Sequence, residues 1–405
     1  MRKKKILFVT PGTIYPMSAG CQMSMFNQIM RLSRDHIVDV VAQVDDRSYF
    51  LPEKADKIKE ICNNYYPMLA PHRKNIISRA FNKINFYYHK KMNYIPADLY
   101  YFTTGNHVEK VAEIANKGHY DIINSQYWFT CTVYEKLNYR PYFTLDTHNI
   151  NFQKFELTLN SKSDSPNSID RVEKYRALEL KYTGMNDAIV AVSEEDYQFL
   201  LKQFPDKVIL KINSGRDIDS FLNFPKNSVP EKSILFYGGM GGRQNQVAFY
   251  RLFNRIFPKI KNLVPEVKLY VLGAKPPEDI KTLHNGKDIF ILGYVEDIRE
   301  WISKSSIKII PLETGGGFRT RVVEVMAMGV PVIGTKNALD CMEMKNGEHG
   351  YISDDDEEIA RYAVSLLNNK ELRAKISAAS QKFVKEKFTI DATYGTLSDY
   401  FLELE

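Results

Sequence analysis

Three consecutive glycines, Gly315 to Gly317, lead into two arginines, Arg319 and Arg321, and then into Glu324. Glycine lets a backbone approach a ligand closely, and the start of a helix offers free N–H groups and the positive end of a dipole. The run ahead of the glycines, Ile307 to Ile310 ending at Pro311, reads as a buried strand. The run behind them reads as a helix that opens near Phe318 and Arg319 and stops at Gly329, with Pro331 just beyond. Two guanidinium groups in the first turn of a helix oppose its dipole, so the helix alone does not explain them. A bound anion does. Glu324, about one turn further on, then stands where it can accept hydrogen bonds from sugar hydroxyls. The plain alternative is a glycine-rich turn with solvated arginines.

A second loop has the same form. The strand-like run that ends in Phe236 and Tyr237 gives way to Gly238, Gly239, Met240, Gly241, Gly242 and Arg243, and a helix is expected over Val247 to Lys261. The spacing departs from G-x-G-x-x-G, and no Lys-Ser/Thr pair follows, so this is not a P-loop. A tight strand–helix turn accounts for it equally well on its own. Two such loops on one sheet suggest a diphosphate cradle, in which each charge-assisted contact contributes roughly 1.5–3 kcal/mol.

Three weaker signals complete the set. Thr10 to Cys21, with Gly12 and Gly20, follows the first strand and precedes a helix over Met23 to Leu32; it is a ligand loop or an ordinary connection. Asp146, Thr147, His148 and Asn149 end another strand and place polar groups where a ligand would arrive. A lone histidine is often structural, and with no second His or Cys near it a metal site is not expected. From His72 to Phe102, six basic residues face one acid, Asp98, with aromatics interleaved. Such a stretch can lie on an anionic membrane or grip an acidic acceptor, or be a solvated helix with a core-facing stripe. Asp217, Asp219 and Asp354 to Asp356 read as solvated.

These loops need strands to place them. Candidates in the first half are Ile6–Thr10, Ile37–Val44, Asp121–Ser125, Tyr142–Asp146, Ala188–Val192 and Val208–Ile212. The second half offers Ser233–Tyr237, Val267–Leu272, Ile289–Leu292, Ile307–Pro311 and Pro331–Gly334. Near-continuous apolar strands alternating with helices imply an α/β protein of two doubly wound, Rossmann-like domains, with a linker near 213–232. Ligands of such sheets bind at the carboxyl ends of the strands, and with two sheets the expected site is a cleft between them. The apolar stripe of Tyr394, Leu397, Tyr400, Phe401 and Leu404 fits a helix that packs on either domain.

The chain has 405 residues, 44% hydrophobic and 26% charged, which excludes a collagen, a disordered chain and a coiled-coil rod. A net charge of +6 does not by itself imply nucleic acid. Four scattered cysteines without a CxxC pair fit a reducing compartment. The basic N-terminus turns at once into Ile6 to Thr10 and Pro11-Gly12, a strand rather than a signal-peptide core, and no apolar run reaches membrane-spanning length. The expected location is the cytoplasm.

Residues Gly315 to Val332 resemble the GGG-x-R-x-K-x-x-E-A-M-A-x-G-x-P-V signature of glycosyltransferase family 4, in its triple-glycine branch. Asp146 to Asn149 is similar to that family's D-x-H-N strand end, Ala191 to Glu194 to its V-S-x-x-E segment, and Ile212 to Asp217 to its I-P-N-G-V-D linker. The resemblance implies the glycosyltransferase B fold. It implies an acceptor-binding domain over 1–215, closed by a returning helix at 390–405, and a nucleotide-sugar-binding domain over 216–389. It further implies sugar transfer with retention of configuration, from a nucleoside-diphosphate sugar as co-substrate, without a metal or other cofactor. The acceptor would be a glycan, a lipid-linked or a protein one, in cell-surface glycan biosynthesis, with peripheral contact at the inner membrane face through 72–102 and no nucleic acid partner. Carried over by position, His148, Arg319 and Arg321 would be catalytic. Gly239, Arg243, Gly316, Gly317, Phe318, Arg319, Arg321 and Glu324 would hold the donor, and Gly20, Gln126 and Asn149 would face the acceptor.

Several positions depart from the family pattern. Arg321 stands where lysine is usual, Gly316 where a carboxylate is, and Asn124-Ser125-Gln126 where a histidine is. Gln244, Asn245 and Gln246 occupy the place of a lysine after Arg243. Two other readings therefore stand beside an active transferase: a catalytically inactive relative that binds glycan or steadies a partner, and a nucleotide-sugar epimerase.

Overall fold

The computed structural model describes residues 2–17, 20–70, 84, 96–103, 107–160, 166–225, 232–314, 320–339 and 342–405. The chain divides into two compact units, the first Met1–Gly215 with Thr393–Glu405, the second Arg216–Ala392.

The first unit holds a seven-stranded parallel sheet of β1 (Lys5–Thr10), β2 (Ile37–Val44), β3 (Asn64–Leu69), β4 (Ile122–Gln126), β5 (Tyr142–Asp146), β6 (Ala188–Ala191) and β7 (Val208–Lys211) in the order β3-β2-β1-β4-β5-β6-β7. Ile6, Leu7, Phe8 and Val9 are all sealed from water, which is why that strand reads as an unbroken apolar run rather than an alternation. Sequence order reverses between β1 and β4. Thr10, Gln126 and Asp146 therefore end neighbouring strands at the switch point where doubly wound sheets take ligands.

The second unit repeats the plan with six strands: β8 (Ser233–Tyr237), β9 (Lys268–Leu272), β10 (Ile289–Gly293), β11 (Ile307–Ile310), β12 (Val332–Gly334) and β13 (Tyr351–Ile352), ordered β10-β9-β8-β11-β12-β13 and all parallel. Here the switch point lies between β8 and β11, the two strands that feed the glycine loops.

Of the four edge strands, the sequence does not reveal two, β3 and β13. Pro67 lies within β3 and lacks an amide proton, which a strand tolerates only at an edge, and β3 pairs with β2 alone. β13 is only two residues long. The helix expected over Val247–Lys261 runs from Arg243 to Leu263, widened to a π turn at Leu252–Ile256 just ahead of Pro258. Proline has no N–H to return to the preceding turn, and the widened turn accommodates it. Asp356, read as solvated, is instead 8% exposed and accepts from Arg251 Nε at 2.8 Å, with Arg255 beside it. Asp355 caps the helix Asp356–Asn368, while Asp217 and Asp219 are exposed as expected.

The apolar stripe near the end of the chain belongs to the first unit, with Tyr394, Leu397 and Phe401 buried there. Its helix, Thr396–Glu403, is fixed by His36, whose Nδ1 accepts from Lys4 N at 3.3 Å and whose Nε2 faces Ser398 O at 3.2 Å. Ser398 Oγ also donates to Asp35 at 2.7 Å. Only a neutral imidazole with Nε2 protonated satisfies both of its backbone partners, and burial holds the ring below the ordinary histidine range. A depressed histidine pKa stabilises the folded state above the unfolded value and loses that stabilisation as pH falls through the folded one. Amide exchange across 396–403 should therefore lose protection, relative to the sheet, on going from about pH 7.5 to about pH 5. Unchanged relative protection would refute this.

Candidate functional site

At the end of β8, Tyr237 hands over to a loop whose shape is set by its own glycines and by β9. Gly238 N donates to Leu272 O and Met240 N to Ala274 O, each at 3.0 Å. Gly273 has φ +150°, and a Cβ there would stand 1.7 Å from Gly238 O, so only glycine lets the two chains come this close. Asn245 Nδ2 donates to Gly239 O and Gln246 Nε2 to Met240 O, both at 2.8 Å. Two of the residues that stand in place of the family's lysine thus brace the loop from inside. Arg243 is exposed at the first position of the following helix.

The helix Thr320–Ala327 follows the second glycine run in sequence, and its Arg321 meets the first loop. The Arg321 guanidinium lies 5.0 Å from the centre of the Tyr237 ring, and its Nη2 would be 3.9 Å from a Cβ at Gly239. Glu324 Oε2 is sealed from solvent and finds no hydrogen-bond partner among the described residues. Burial pushes the Glu324 carboxyl up, while the charges of Lys308, Arg321 and Arg216 pull it back down. Burial also pushes the Tyr237 hydroxyl up to about 12, so it stays a neutral donor. A buried carboxylate oxygen without a partner costs desolvation, and hydroxyl donors from a ligand would recover it.

Beneath them lies Lys308, in the middle of β11 and 0% exposed. Its Nζ donates to Arg321 O at 3.0 Å and lies 5.3 Å from the Tyr237 ring centre. Neither Lys308 nor Tyr237 nor Arg216 stands out in the sequence as a site residue. The signal for Lys308 is a lone cation inside the apolar run Ile307 to Ile310.

In the first unit, the switch point holds a chain of buried polar groups. His148 Nε2 meets Gln126 Oε1 at 2.8 Å, and Gln126 Nε2 donates to Asn124 Oδ1 and to Gln28 Oε1. Asn124 Nδ2 donates in turn to Thr144 Oγ1 at 2.9 Å. His148 has φ +54°, is 8% exposed and stacks on Tyr127 with ring centres 4.5 Å apart; Tyr127 itself has φ +69°. Two non-glycine residues in left-handed backbone at adjacent strand ends mark a place where the surroundings impose the conformation. Burial keeps the imidazole below the usual histidine range, against the pull of Asp146.

The structure therefore brings together Gly239, Arg321 and Glu324 in one unit, and Gln126 with His148 in the other. Asn149 is half-buried next to His148, and Gly20 opens the helix Gly20–Asp35. Gly316, Gly317, Phe318 and Arg319 lie outside the described residues. So does most of 72–102, apart from its end, where Leu99, Tyr100 and Phe102 are buried in the core.

Residues 231–369 match the family model of the Glycosyl transferases group 1. The chain is 29% identical over 113 residues to the Vi polysaccharide biosynthesis protein VipC/TviE of Salmonella typhi, covering 27% of this chain and 19% of that protein. It is 28% identical over 139 residues to N-acetyl-alpha-D-glucosaminyl L-malate synthase of Bacillus anthracis, covering 33% of this chain and 36% of that one. The matches thus span well under half of these relatives. Among solved structures, sucrose-phosphate synthase from Thermosynechococcus elongatus superposes with a TM-score of 0.64 at 15% identity, over 99% of both chains. Anabaena HepE in complex with UDP and glucose gives 0.62 at 14% identity, over 99% of this chain and 100% of that one. A glycosyltransferase from Rickettsia africae gives 0.65 at 18% identity, over 100% of both. The fold is the glycosyltransferase B fold, and its second unit carries a glycosyl transferases group 1 domain.

Proposed function

We propose that this protein is a retaining glycosyltransferase that moves a sugar from a nucleoside-diphosphate sugar to a glycan, lipid-linked or protein acceptor, with cationic side chains in place of a metal ion. The observation that carries the reading is Arg321, held over Tyr237 beside the Gly239 backbone, one turn before the buried Glu324 Oε2, which has no hydrogen-bond partner among the described residues. The glycine loops and Arg321 suit a diphosphate, and Glu324 suits the hydroxyls of a ribose. The bond between the anomeric carbon and the diphosphate oxygen breaks, a bond to the acceptor oxygen forms on the same face, and negative charge collects on the departing diphosphate. Fixed positive groups aimed at that charge lower the barrier.

In this reading Arg243, Gly316, Gly317, Phe318 and Arg319 complete the donor site of the second unit. Gly20, Gln126 and Asn149 serve the acceptor in the first, with His148, Arg319 and Arg321 as the catalytic residues. The placement of the triple-glycine signature supports assignment to glycosyltransferase family 4. The neighbour solved with UDP and glucose supports a nucleotide-sugar donor, and the relative named for polysaccharide biosynthesis supports a glycan product. Cytoplasmic placement, with 72–102 on the inner membrane face, belongs to the same proposal and is supported by the basic aromatic composition of that stretch. Among the described residues no helix is long and apolar enough to cross a membrane.

A thermal-shift panel of UDP, GDP and ADP and their sugars tests the donor. A ligand at about 100 times its Kd adds about 2.7 kcal/mol of stability, so one base series should raise the melting temperature clearly. If no nucleoside diphosphate does, the reading fails. Binding without transfer to any lipid or glycan extract would favour the inactive alternative.

A further inference from the structure

A fully buried lysine needs a reason, because burying an ammonium is costly and a similar apolar side chain would fill the space. Lys308 sits among Ile307, Ile309 and Ile310, all buried, in a strand whose other residues are the expected apolar ones. Its amine points at the start of the helix Thr320–Ala327, donating to Arg321 O at 3.0 Å. Among the described residues the charged and titratable groups around it are Tyr237 from β8, Arg321 and Glu324 from that helix, and Arg216, which acts on Glu324 from the segment preceding Ile218. Among the described residues, two guanidinium groups and the Lys308 amine thus gather around one carboxylate, beside the glycine loop after β8.

We propose that Lys308 is the positioning residue of the diphosphate site: it ties down the opening turn that carries Arg321, and takes up a proton when the anion arrives. This rests on the nucleotide reading of the same site. Burial pulls the empty-site amine down to about 7, with Glu324 opposing and Arg321 assisting. An arriving polyanion favours the ammonium form and raises that value, so binding draws in a proton above neutrality. The ligand's own terminal phosphate, with a second pKa of about 6, is already ionised there and contributes no slope.

The test is calorimetric titration of wild type, Lys308→Arg and Lys308→Met with UDP, GDP and ADP from about pH 7 to about pH 9, in buffers of different ionisation enthalpy. Wild type should lose affinity as pH rises, by up to about tenfold per unit, with proton uptake on binding. Lys308→Arg, permanently charged, should bind without uptake and with a flattened profile. Lys308→Met should bind at least about tenfold more weakly at pH 7. A Lys308→Arg profile and uptake equal to wild type would overturn the proposal even if Lys308→Met does not fold. If wild type binds none of the three nucleotides, the donor reading falls and this proposal falls with it. Binding that ignores both substitutions removes this proposal alone.

Discussion

Arg321→Ala weakens binding of the preferred nucleoside diphosphate by about 10- to 150-fold, while the melting temperature of the ligand-free protein stays near that of wild type. The size follows from one or two charge-assisted hydrogen bonds lost at about 1.5–3 kcal/mol in total. The small effect on folding follows from what Arg321 touches: the guanidinium lies over the Tyr237 ring and acts on the Glu324 carboxyl only through its charge, without a close ion pair among the described residues. Arg321→Lys keeps the charge and loses the fork, so it should recover part of the affinity. Titration calorimetry on the three proteins decides. Equal affinity for wild type and Arg321→Ala would remove the anion site from this loop.

Gly273→Ala should be the most damaging single methyl among the described glycines of the second unit. The added Cβ would collide with Gly238 O, at a residue whose φ of +150° other residues rarely adopt. Either the end of β9 or the loop after β8 must move, and both carry the site. The expected loss is about 3 kcal/mol, which for a unit of this size is about 6–12 °C in melting temperature. Gly241→Ala is the control, because its new Cβ would meet only the Lys275 side chain at 3.7 Å. That variant should melt within about 2–4 °C of wild type. A Gly273→Ala protein that melts with the control and binds nucleotide normally would show that the close approach is dispensable.

Much of this site was legible beforehand because its chemistry is local in the chain. The glycines, arginines and glutamate after β11 fall within ten positions, so the helix period alone sets Arg321 and Glu324 near each other. That the loop after β8 would meet them needed only the rule about switch points. Lys308 and Tyr237 were hidden for the opposite reason. Each lies inside an apolar strand, where period and composition report burial and nothing about which face a side chain takes. Gln126 reads in the sequence as a missing histidine, yet its partner is the histidine at the end of the next strand. Gln126 and His148 are 22 positions apart and meet at 2.8 Å only because β4 and β5 are neighbours. Two edge strands, β3 and β13, escaped because Pro67 breaks the pattern of one and the other is a bare two residues.

One feature of chain topology bears on biosynthesis. The second unit begins and ends at a single seam, where Arg216 N donates to Phe388 O at 2.8 Å and Arg216 bridges Thr389. Everything the second unit requires lies between those two points. The first unit, by contrast, stays without its closing helix until residues 393–405 emerge from the ribosome. The half translated later is thus the half able to mature earlier. During that interval Ser24, His36 and Tyr142 lack their partners Tyr394, Ser398 and Tyr400, so the amino-terminal half carries unfilled contacts until translation ends.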